Sequence, residues 1–242
     1  MKAILTWHAI DESRSPISVS RQVFADQVAF LASGRVRVVP LSSILAASGD
    51  AIALTFDDAF TSFSEVAWPA LRDAGLPATV FVVTDRVGER NRWDGGPAPG
   101  IPDLPLADWN TLGSLATEGV EIGCHSRRHP RLDTVTDAAL EEETLGAREI
   151  LRSRLGVVPA SYCYPYGRAG ARERDAVARH FERAVTVEHR LLGSEEDPFF
   201  LPRLDAYYFN RTGALDKYGH SEFAARVMVR GALRRARQLV TS

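Results

Sequence analysis

The sequence predicts an α/β fold built on a parallel sheet. Short apolar segments rich in β-branched and aromatic residues alternate with segments whose apolar residues recur at helical spacing, along most of the 242 residues. Several helical segments end at a glycine, such as Gly75, Gly119 and Gly156, which can adopt the left-handed conformation of a helix cap. Repeated strand-then-helix units imply crossover connections and parallel strands. Two architectures stay open at this point, a closed barrel and an open doubly wound sheet.

The individual elements follow from the same alternation. The predicted strands are Ala3–Trp7, Val36–Val39, Ala51–Phe56, Ala78–Val83, Val120–Cys124, Ser161–Tyr164 and Ala184–Val187. The predicted helices are Ser20–Leu31, Thr61–Ala74, Asp108–Thr117, Asp137–Leu155 and Ala171–His180. The length and a hydrophobic content of 45% suit one core, and we predict a single domain over residues 1–242.

Two segments depart from this alternation. Residues 88–105, GERNRWDGGPAPGIPDLP, form a Gly- and Pro-rich loop insertion, and a loop of that length either borders a binding site or is disordered. On the first interpretation, Trp93 is a substrate-binding residue. Residues 222–240 predict a basic, partly amphipathic C-terminal helix. We expect this helix to be solvated, and peripheral contact with anionic lipid is the alternative.

Charge and composition exclude several classes of function. The formal net charge of -2 provides no general basic field, so no nucleic-acid partner is expected. No stretch approaches the roughly 18 apolar residues of a membrane span. The N-terminus lacks the cleavage site of a secretory signal, and we predict a cytoplasmic protein. Cys124 and Cys163 lie in separate apolar segments without CxxC spacing, which predicts buried thiols that act as small hydrophobic residues.

The unusual polar residues fall where predicted strands end. In parallel α/β folds the C-terminal ends of the strands carry the binding site, because the loops there vary while the strands fix their positions. The groups delivered to this rim are His8, the pair Asp57 and Asp58, His125 with His129, and the stretch YPYG at 164–167. The sequence therefore predicts a site assembled from four strand ends.

Asp58, His125 and His129 offer one carboxylate and two imidazoles. This set suits a divalent transition metal with positions left open for water and substrate. Residues four apart, as in HxxxH, project from the same side of a helical turn, so both imidazoles can share one ion. An isolated HxxxH pair is more often a surface feature, and the acids at another strand end strengthen the metal interpretation. Non-haem Fe(II) oxygenases use the same ligand types and stay an alternative.

The adjacent acids Asp57 and Asp58 need a second explanation. One Asp after a strand commonly caps the following helix. Two neighbouring carboxylates repel each other unless they share a cation or a proton. A metal on Asp58 would supply that charge and leave Asp57 as a general base.

Three motifs resemble those of a known family. LTFDD at 54–58, HSRRHP at 125–130 and YPYG at 164–167, in this order on a βα repeat, are similar to the first three motifs of the polysaccharide deacetylases, the carbohydrate esterases with a NodB-homology domain. The resemblance implies a distorted (β/α)7 barrel and metal-dependent removal of acetyl groups from N-acetylated sugars. We expect zinc as the divalent cation, with cobalt, manganese or iron(II) as alternatives.

The resemblance implies a role for each matched residue. These roles are catalytic base for Asp57, metal ligand for Asp58, His125 and His129, and backbone oxyanion donor for Tyr166. We assign Tyr164 and Pro165 to substrate binding. Packing at the barrel rim is the alternative for both tyrosines.

Two departures from the family pattern nominate further residues. Cys163 stands where many members have an Arg that pairs with the base, and the late Leu-x-His motif that supplies a general acid has no clear counterpart. A branch acting on β-1,6-linked N-acetylglucosamine polymers carries its acid His after the first strand, and LTWHAI resembles that arrangement, which nominates His8. A capped residue at the strand end is the alternative for His8. Arg203 is a candidate for the missing cation beside the base, with a surface pair to Asp205 or Glu195 as the alternative. A sugar-binding protein without activity is a further possibility.

Overall fold

The computed structural model describes residues 1–96 and 98–240, with side chains through residue 236 apart from that of Pro97. The strands are β1 (Lys2–Trp7), β2 (Ala9–Ile10), β3 (Ser18–Val19), β4 (Arg37–Val38), β5 (Ala51–Phe56), β6 (Thr79–Val82), β7 (Glu121–Cys124), β8 (Ser161–Cys163), β9 (Arg183–Val185) and β10 (Leu204–Asp205). The helices are α1 (Arg21–Ala32), α2 (Trp68–Asp73), α3 (Trp109–Thr117), α4 (Asp137–Glu141), α5 (Ala147–Leu155), α6 (Ala171–Ala178) and α7 (Ser221–Val240). The π-helical turns Phe63–Ala67 and Glu142–Gly146 precede α2 and α5.

The main sheet is parallel and curls into a barrel. Its strand order is β10-β1-β5-β6-β7-β8-β9, with β4 also paired to β5. The two ends of this order meet through residues 201–205: Leu201 forms a parallel bridge to Val185 of β9, and Leu204 of β10 pairs with Leu5 of β1. A single bridge closes one seam, so the barrel is distorted. The predicted distorted (β/α)7 barrel is confirmed, and the open doubly wound sheet is excluded.

Alternate residues of each strand face the helices or the barrel interior. Leu5 of β1 and Phe56 of β5 belong to the large cluster packed against the helices, whereas Ile4 and Ala53 belong to a smaller interior cluster. Both strands read as nearly continuous buried segments, because parallel strands are covered on both faces. Continued along β5, the alternation directs Asp57 into the interior at the C-terminal end of the barrel.

The predicted elements agree with the observed ones to within two residues at most ends. Strand Ala51–Phe56 is reproduced without change. Ser20 and Asp108 cap α1 and α3 through their side chains, and Gly156 ends α5 in the left-handed conformation with φ of 70°. The single helix predicted over Asp137–Leu155 is divided by a π-helical turn. Strands β2, β3 and β10 were not predicted, because two residues are too few to show a periodicity.

The C-terminal helix α7 packs against the barrel and is not simply solvated, since Phe223 and Val227 on one of its faces are buried. No helix within the described ranges combines the length and the apolarity that a bilayer crossing requires.

Candidate metal centre and active site

The backbone at the C-terminal rim of the barrel is unusual. Among described residues other than glycine, those with positive φ are Arg14, Asp58, Ala59, Ser126, His129 and Tyr166. All but the first belong to the segments that follow β5, β7 and β8. A residue with a side chain pays for this conformation, and such strain concentrates at functional sites. The rim therefore has the backbone signature of a site before any side chain is considered.

The three predicted metal ligands converge. Oδ1 of Asp58 lies 3.5 Å from Nε2 of His125 and 3.7 Å from Nε2 of His129, and all three side chains are buried. His125 Nδ1 lies 2.8 Å from the carbonyl oxygen of Cys163, so it carries the proton and donates. That hydrogen bond leaves the lone pair of Nε2 directed at the other two ligands.

The chemistry of these residues fits a bound cation. Asp58 Oδ1 and His129 Nδ1 are buried without a hydrogen-bond partner among the described residues. Burial raises the pKa of Asp58 and lowers that of His129 well below its usual value. An unpaired buried carboxylate is costly, and a divalent cation held by its oxygen and two imidazole nitrogens relieves that cost.

Asp57 is held by a buried arginine. Arg203 Nη1 donates to Asp57 Oδ1 at 2.7 Å and Nη2 donates to Oδ2 at 2.8 Å, and both residues are almost fully buried. Burial alone would raise the pKa of Asp57, but the charge and hydrogen bonds of Arg203 outweigh it and hold that pKa well below its usual range. Arg203 thus lies beside Asp57, and the surface pair considered as its alternative is not the arrangement observed.

Cys163 has a polar environment that the sequence did not suggest. It is buried, as predicted, but its Sγ lies 3.1 Å from Nη2 of Arg203 and 3.7 Å from Oδ2 of Asp57. The expectation that it acts only as a small hydrophobic residue is therefore incomplete. Burial raises the pKa of this thiol well above its usual value, so it stays protonated. The small thiol leaves room for the guanidinium that arrives from residue 203.

His8 lies on the other side of Asp57, with 3.7 Å between His8 Nε2 and Asp57 Oδ2. Its side chain is 23% exposed, so it can exchange protons with solvent. Asp205 was named in the sequence only as a surface partner of Arg203, yet it lies close enough to interact with the charge of His8. Burial raises the pKa of Asp205, and the charges of His8 and Arg234 oppose that rise.

A cavity of about 270 Å³ opens over these groups. Its walls include His8, Asp57, Asp58, Asn91, Trp93, His125, His129, Tyr164, Tyr166 and Val187. Trp93 stacks on the ring of His129 at 4.6 Å between centroids, and Tyr166 meets that ring edge-on at the same distance. Tyr166 is 45% exposed, whereas Tyr164 is fully buried and forms part of the cavity base. Pro165 is buried and does not line the cavity as far as the described residues define it.

The 88–105 insertion is tied down around a buried asparagine. Asn91 donates from Nδ2 to the carbonyl of Pro102 at 3.0 Å and accepts at Oδ1 from the N–H of Leu104 at 2.7 Å. An antiparallel bridge joins Arg90 to Pro105. In its described residues the insertion borders the cavity and carries Trp93 to it, and Asn91 is a site residue that sequence reasoning missed.

Comparison with known proteins identifies the family. The sequence model of the polysaccharide deacetylases matches residues 46–184, more than half of the chain. The chain belongs to the polysaccharide deacetylase family. It is 21% identical over 209 residues to YxkH of Bacillus subtilis (strain 168), provisionally named a polysaccharide deacetylase, covering 83% of this chain and 70% of that protein.

Solved structures share the fold of this deacetylase. The Streptococcus pyogenes deacetylase PplD, solved with acetate, superposes with a TM-score of 0.71 at 20% identity, covering 84% of this chain and 91% of that one. IcaB from Ammonifex degensii gives a TM-score of 0.71 at 20% identity, with coverage of 85% and 93%. The predicted relationship to this family is confirmed, and with it a hydrolase that removes acetyl groups from the amide nitrogen of carbohydrates.

The family match leaves two site residues of this deacetylase outside its limits. Residues 46–184 contain Asp57, Asp58, His125, His129 and Tyr166, but neither His8 nor Arg203. Both of these residues contact Asp57.

Proposed function

We propose that this deacetylase is metal-dependent and that Asp58, His125 and His129 hold the ion. The observation that carries the proposal is the convergence of one carboxylate oxygen and two imidazole nitrogens, all within 4.8 Å of one another, directly beside Asp57. Two nitrogen ligands with one oxygen ligand favour zinc, and cobalt, manganese or iron(II) suit the same set. When bound, such a cation lowers the pKa of a water molecule from 15.7 to about 7 and polarises an acetyl carbonyl.

Asp57 is the proposed general base. Its pKa is held low, so it is ionised throughout the neutral range and can accept a proton from the attacking water. Arg203 fixes both carboxylate oxygens and thereby the direction of the free lone pairs. Because Arg203 does not touch the cavity, its role is to position and ionise the base.

His8 is the proposed general acid. An amide leaving group is poor unless its nitrogen is protonated, and a positioned acid is worth roughly 10²–10⁴ in rate. His8 lines the cavity on the side of Asp57 and is partly exposed, so it can be reprotonated between turnovers.

Tyr166 is proposed to stabilise the oxyanion through its backbone N–H. It adopts φ of 57° and ψ of 4°, a conformation that departs from the turn around it, and its ring borders the ligands at His129. Removing a donor of this kind typically costs on the order of 10²–10³ in rate. Trp93 and Tyr164 are proposed walls for the sugar ring, and Pro165 is proposed to stiffen the turn between the tyrosines rather than to contact the sugar.

The proposed substrate is a carbohydrate whose acetamido group enters the cavity. At about 270 Å³ the cavity is at the small end of ligand sites, which suits one N-acetylated sugar unit of an oligosaccharide, polymer or glycoconjugate. We further propose that residues 1–242 act as a single domain. The absence of a nucleic-acid partner and the cytoplasmic location stay predictions.

An acetate-release assay tests the proposal. Purified protein is stripped with a chelator, reloaded with Zn²⁺, Co²⁺ or Mn²⁺, and incubated anaerobically with N-acetylglucosamine oligomers of increasing length. We expect release only with metal, and His125→Ala should lose both bound metal and activity. The matched control is His220→Ala, because His220 is exposed and does not line the cavity.

Different outcomes separate the alternatives. Sugar binding without acetate release would identify a non-catalytic homologue. A product that forms only when the assay is repeated in air would favour the oxygenase. Metal content unchanged in His125→Ala would overturn the ligand assignment.

A further inference from the structure

Helix α7 presents an exposed apolar stripe. The exposed apolar residues of its described side chains are Ala225, Met228, Val229, Ala232, Leu233 and Ala236. At about 100° per residue they occupy one sector roughly 140° wide. Met228, Val229 and Leu233 are 66%, 58% and 55% exposed, more than any other large hydrophobic residue in the described part of the chain. A contiguous patch of this kind marks an interaction surface.

The opposite face of α7 fixes the helix on the barrel. Phe223 and Val227 are 1% and 3% exposed, and Phe223 stacks on Phe209. Gly231 approaches so closely that an added Cβ would lie 2.4 Å from the carbonyl oxygen of His189. Because this face packs against the barrel, the apolar stripe on the other side of the helix points away from the barrel.

Arginines flank the stripe on both edges. On the same helical projection Arg226 lies just beyond one edge and Arg235 just beyond the other, and both are exposed. Arg226 forms no ion pair with a described residue, and Arg235 lies 3.8 Å from Glu188 in an exposed pair that contributes little. Residues 224–236, AARVMVRGALRRA, contain no acidic residue. The surface is therefore apolar along its centre and positive along its borders.

This combination favours one kind of partner. A second copy of the chain would bring the arginine borders together, and like charges in contact are destabilising. Nearby carboxylates, those of Glu188 and Glu222, already lie beside Arg235 and Lys217 of the same chain. A nucleic acid would use the charge but leave the apolar stripe in water. A lipid surface with anionic headgroups matches both parts, because apolar side chains enter the interface while arginines extend to the phosphates.

We propose that this face of α7 binds the surface of an anionic lipid bilayer, with the helix lying in the plane of the headgroups. The barrel would then be held at the membrane surface by this helix. This proposal does not depend on the deacetylase chemistry, since none of the stripe residues lines the catalytic cavity.

Vesicle sedimentation tests the proposal. The full chain is mixed with vesicles of phosphatidylcholine plus phosphatidylglycerol, or of phosphatidylcholine alone, and the bound fraction is measured. We expect binding to the anionic vesicles only, weakening as salt is added. Val229→Glu should weaken binding by about tenfold or more. Arg226→Gln should weaken it by about fivefold, the effect of one cation at an anionic surface.

Matched control variants distinguish an effect specific to the stripe on α7 from a general effect of charge or hydrophobicity on vesicle binding. Val158 is 54% exposed at a different place, so Val158→Glu makes the same chemical change at nearly the same exposure. Arg211→Gln, at another exposed arginine, removes the same charge as Arg226→Gln. Both controls should bind vesicles like the unaltered protein, and acetate release from soluble substrate should be unchanged in Val229→Glu.

Three results would overturn the proposal: no binding to anionic vesicles, equal losses in Val229→Glu and Val158→Glu, or unaltered binding in Val229→Glu. A concentration-dependent dimer in sedimentation velocity that Val229→Glu abolishes, with no vesicle binding, would assign the face to a second copy instead.

Discussion

At the residue scale, the contact between Arg203 and Asp57 dominates the site. A buried ion pair is costly unless its polar atoms are all satisfied. Arg203 meets this condition, because besides Asp57 its donors reach the carbonyl of Thr186 at 2.9 Å and Oγ1 of Thr6 at 2.9 Å. The pair therefore keeps the carboxylate of Asp57 charged and oriented inside the barrel, where an unpartnered carboxylate would take up a proton.

Removing the Arg203 charge should move the acid limb of the activity profile. Without it, burial acts on Asp57 unopposed and its pKa rises, so the base becomes protonated as pH falls through a higher value than in the unaltered protein. In Arg203→Gln we expect the acid limb of kcat/KM against pH to shift upward by about 1–3 units. Arg203→Lys retains the charge and should shift it less.

Arg190→Gln serves as the control for this shift. Arg190 also forms a two-bonded pair, with Glu196 at 2.5 and 2.8 Å, but away from Asp57. The acid limb of kcat/KM against pH in Arg190→Gln should match that of the unaltered protein. An unshifted profile in a fully active Arg203→Gln would contradict the role of Arg203 in keeping Asp57 ionised.

His8 should matter most when the leaving group is poor. We expect His8→Ala to lower turnover of an N-acetylated sugar by about 10²–10⁴, because amide nitrogen must be protonated to depart. An activated acetate ester needs little protonation and should lose far less. Parallel kcat measurements on the two substrates decide the point, and equal losses would exclude His8 as the acid.

At the scale of elements, the turn after β8 depends on a close approach to the segment after β9. Gly167 has φ of 65°, and a Cβ there would lie 2.2 Å from Cγ2 and 2.7 Å from the backbone N of Val187. Val187 is itself a wall of the cavity. The glycine is required both for its conformation and for its lack of a side chain, and it lets Tyr166 face the ligands.

Gly167→Ala should therefore destabilise the fold and disturb the cavity. Left-handed strain contributes about 1–2 kcal/mol, and overlap with Val187 about 1–3 kcal/mol more. Gly34→Ala is the control, because Gly34 also has positive φ, 76°, but no atom within 4 Å of the added Cβ. Urea unfolding should show a larger loss for Gly167→Ala, and only this variant should lose activity. Equal unfolding midpoints would contradict the close approach.

Helix α7 and the 88–105 insertion lie outside the barrel, and each presents particular side chains because of how it is attached. The insertion is held by Asn91 and by an ion pair of Arg92 with Asp103, and so delivers Trp93 to His129. Helix α7 is held by its buried face, which leaves the apolar stripe exposed. In each case the contacts that attach the element determine which side chains it offers.

At the scale of the whole molecule, barrel closure assembles the site. The proposed metal ligands follow β5 and β7, the proposed acid follows β1, and Arg203 comes from the segment between β9 and β10. Residues so distant in sequence meet because parallel strands point their C-terminal ends to one rim. Because the proposed ligands come from different strand ends, a bound metal should stabilise the whole rim in its folded state.

The site residues that could be predicted are those marked by a pattern in the neighbouring sequence. The acids after β5 and the HxxxH stretch were visible because each follows an apolar strand, and the structure brings Asp58, His125 and His129 together. Asn91 was not predicted, because its role depends on backbone groups of the same irregular loop, for which no periodicity exists. Strand β10 was missed for its length, although it closes the sheet.

Patterns along the chain determined the parallel βα order, the strand ends at which chemistry is placed, and the family, since apolar periodicity and short motifs are local properties. Only the tertiary structure decided that Arg203 reaches Asp57, that Cys163 makes room for it, and that α7 turns its apolar stripe outward. These are relations between side chains far apart in sequence, and they depend on how closely packed segments approach, which no local pattern records.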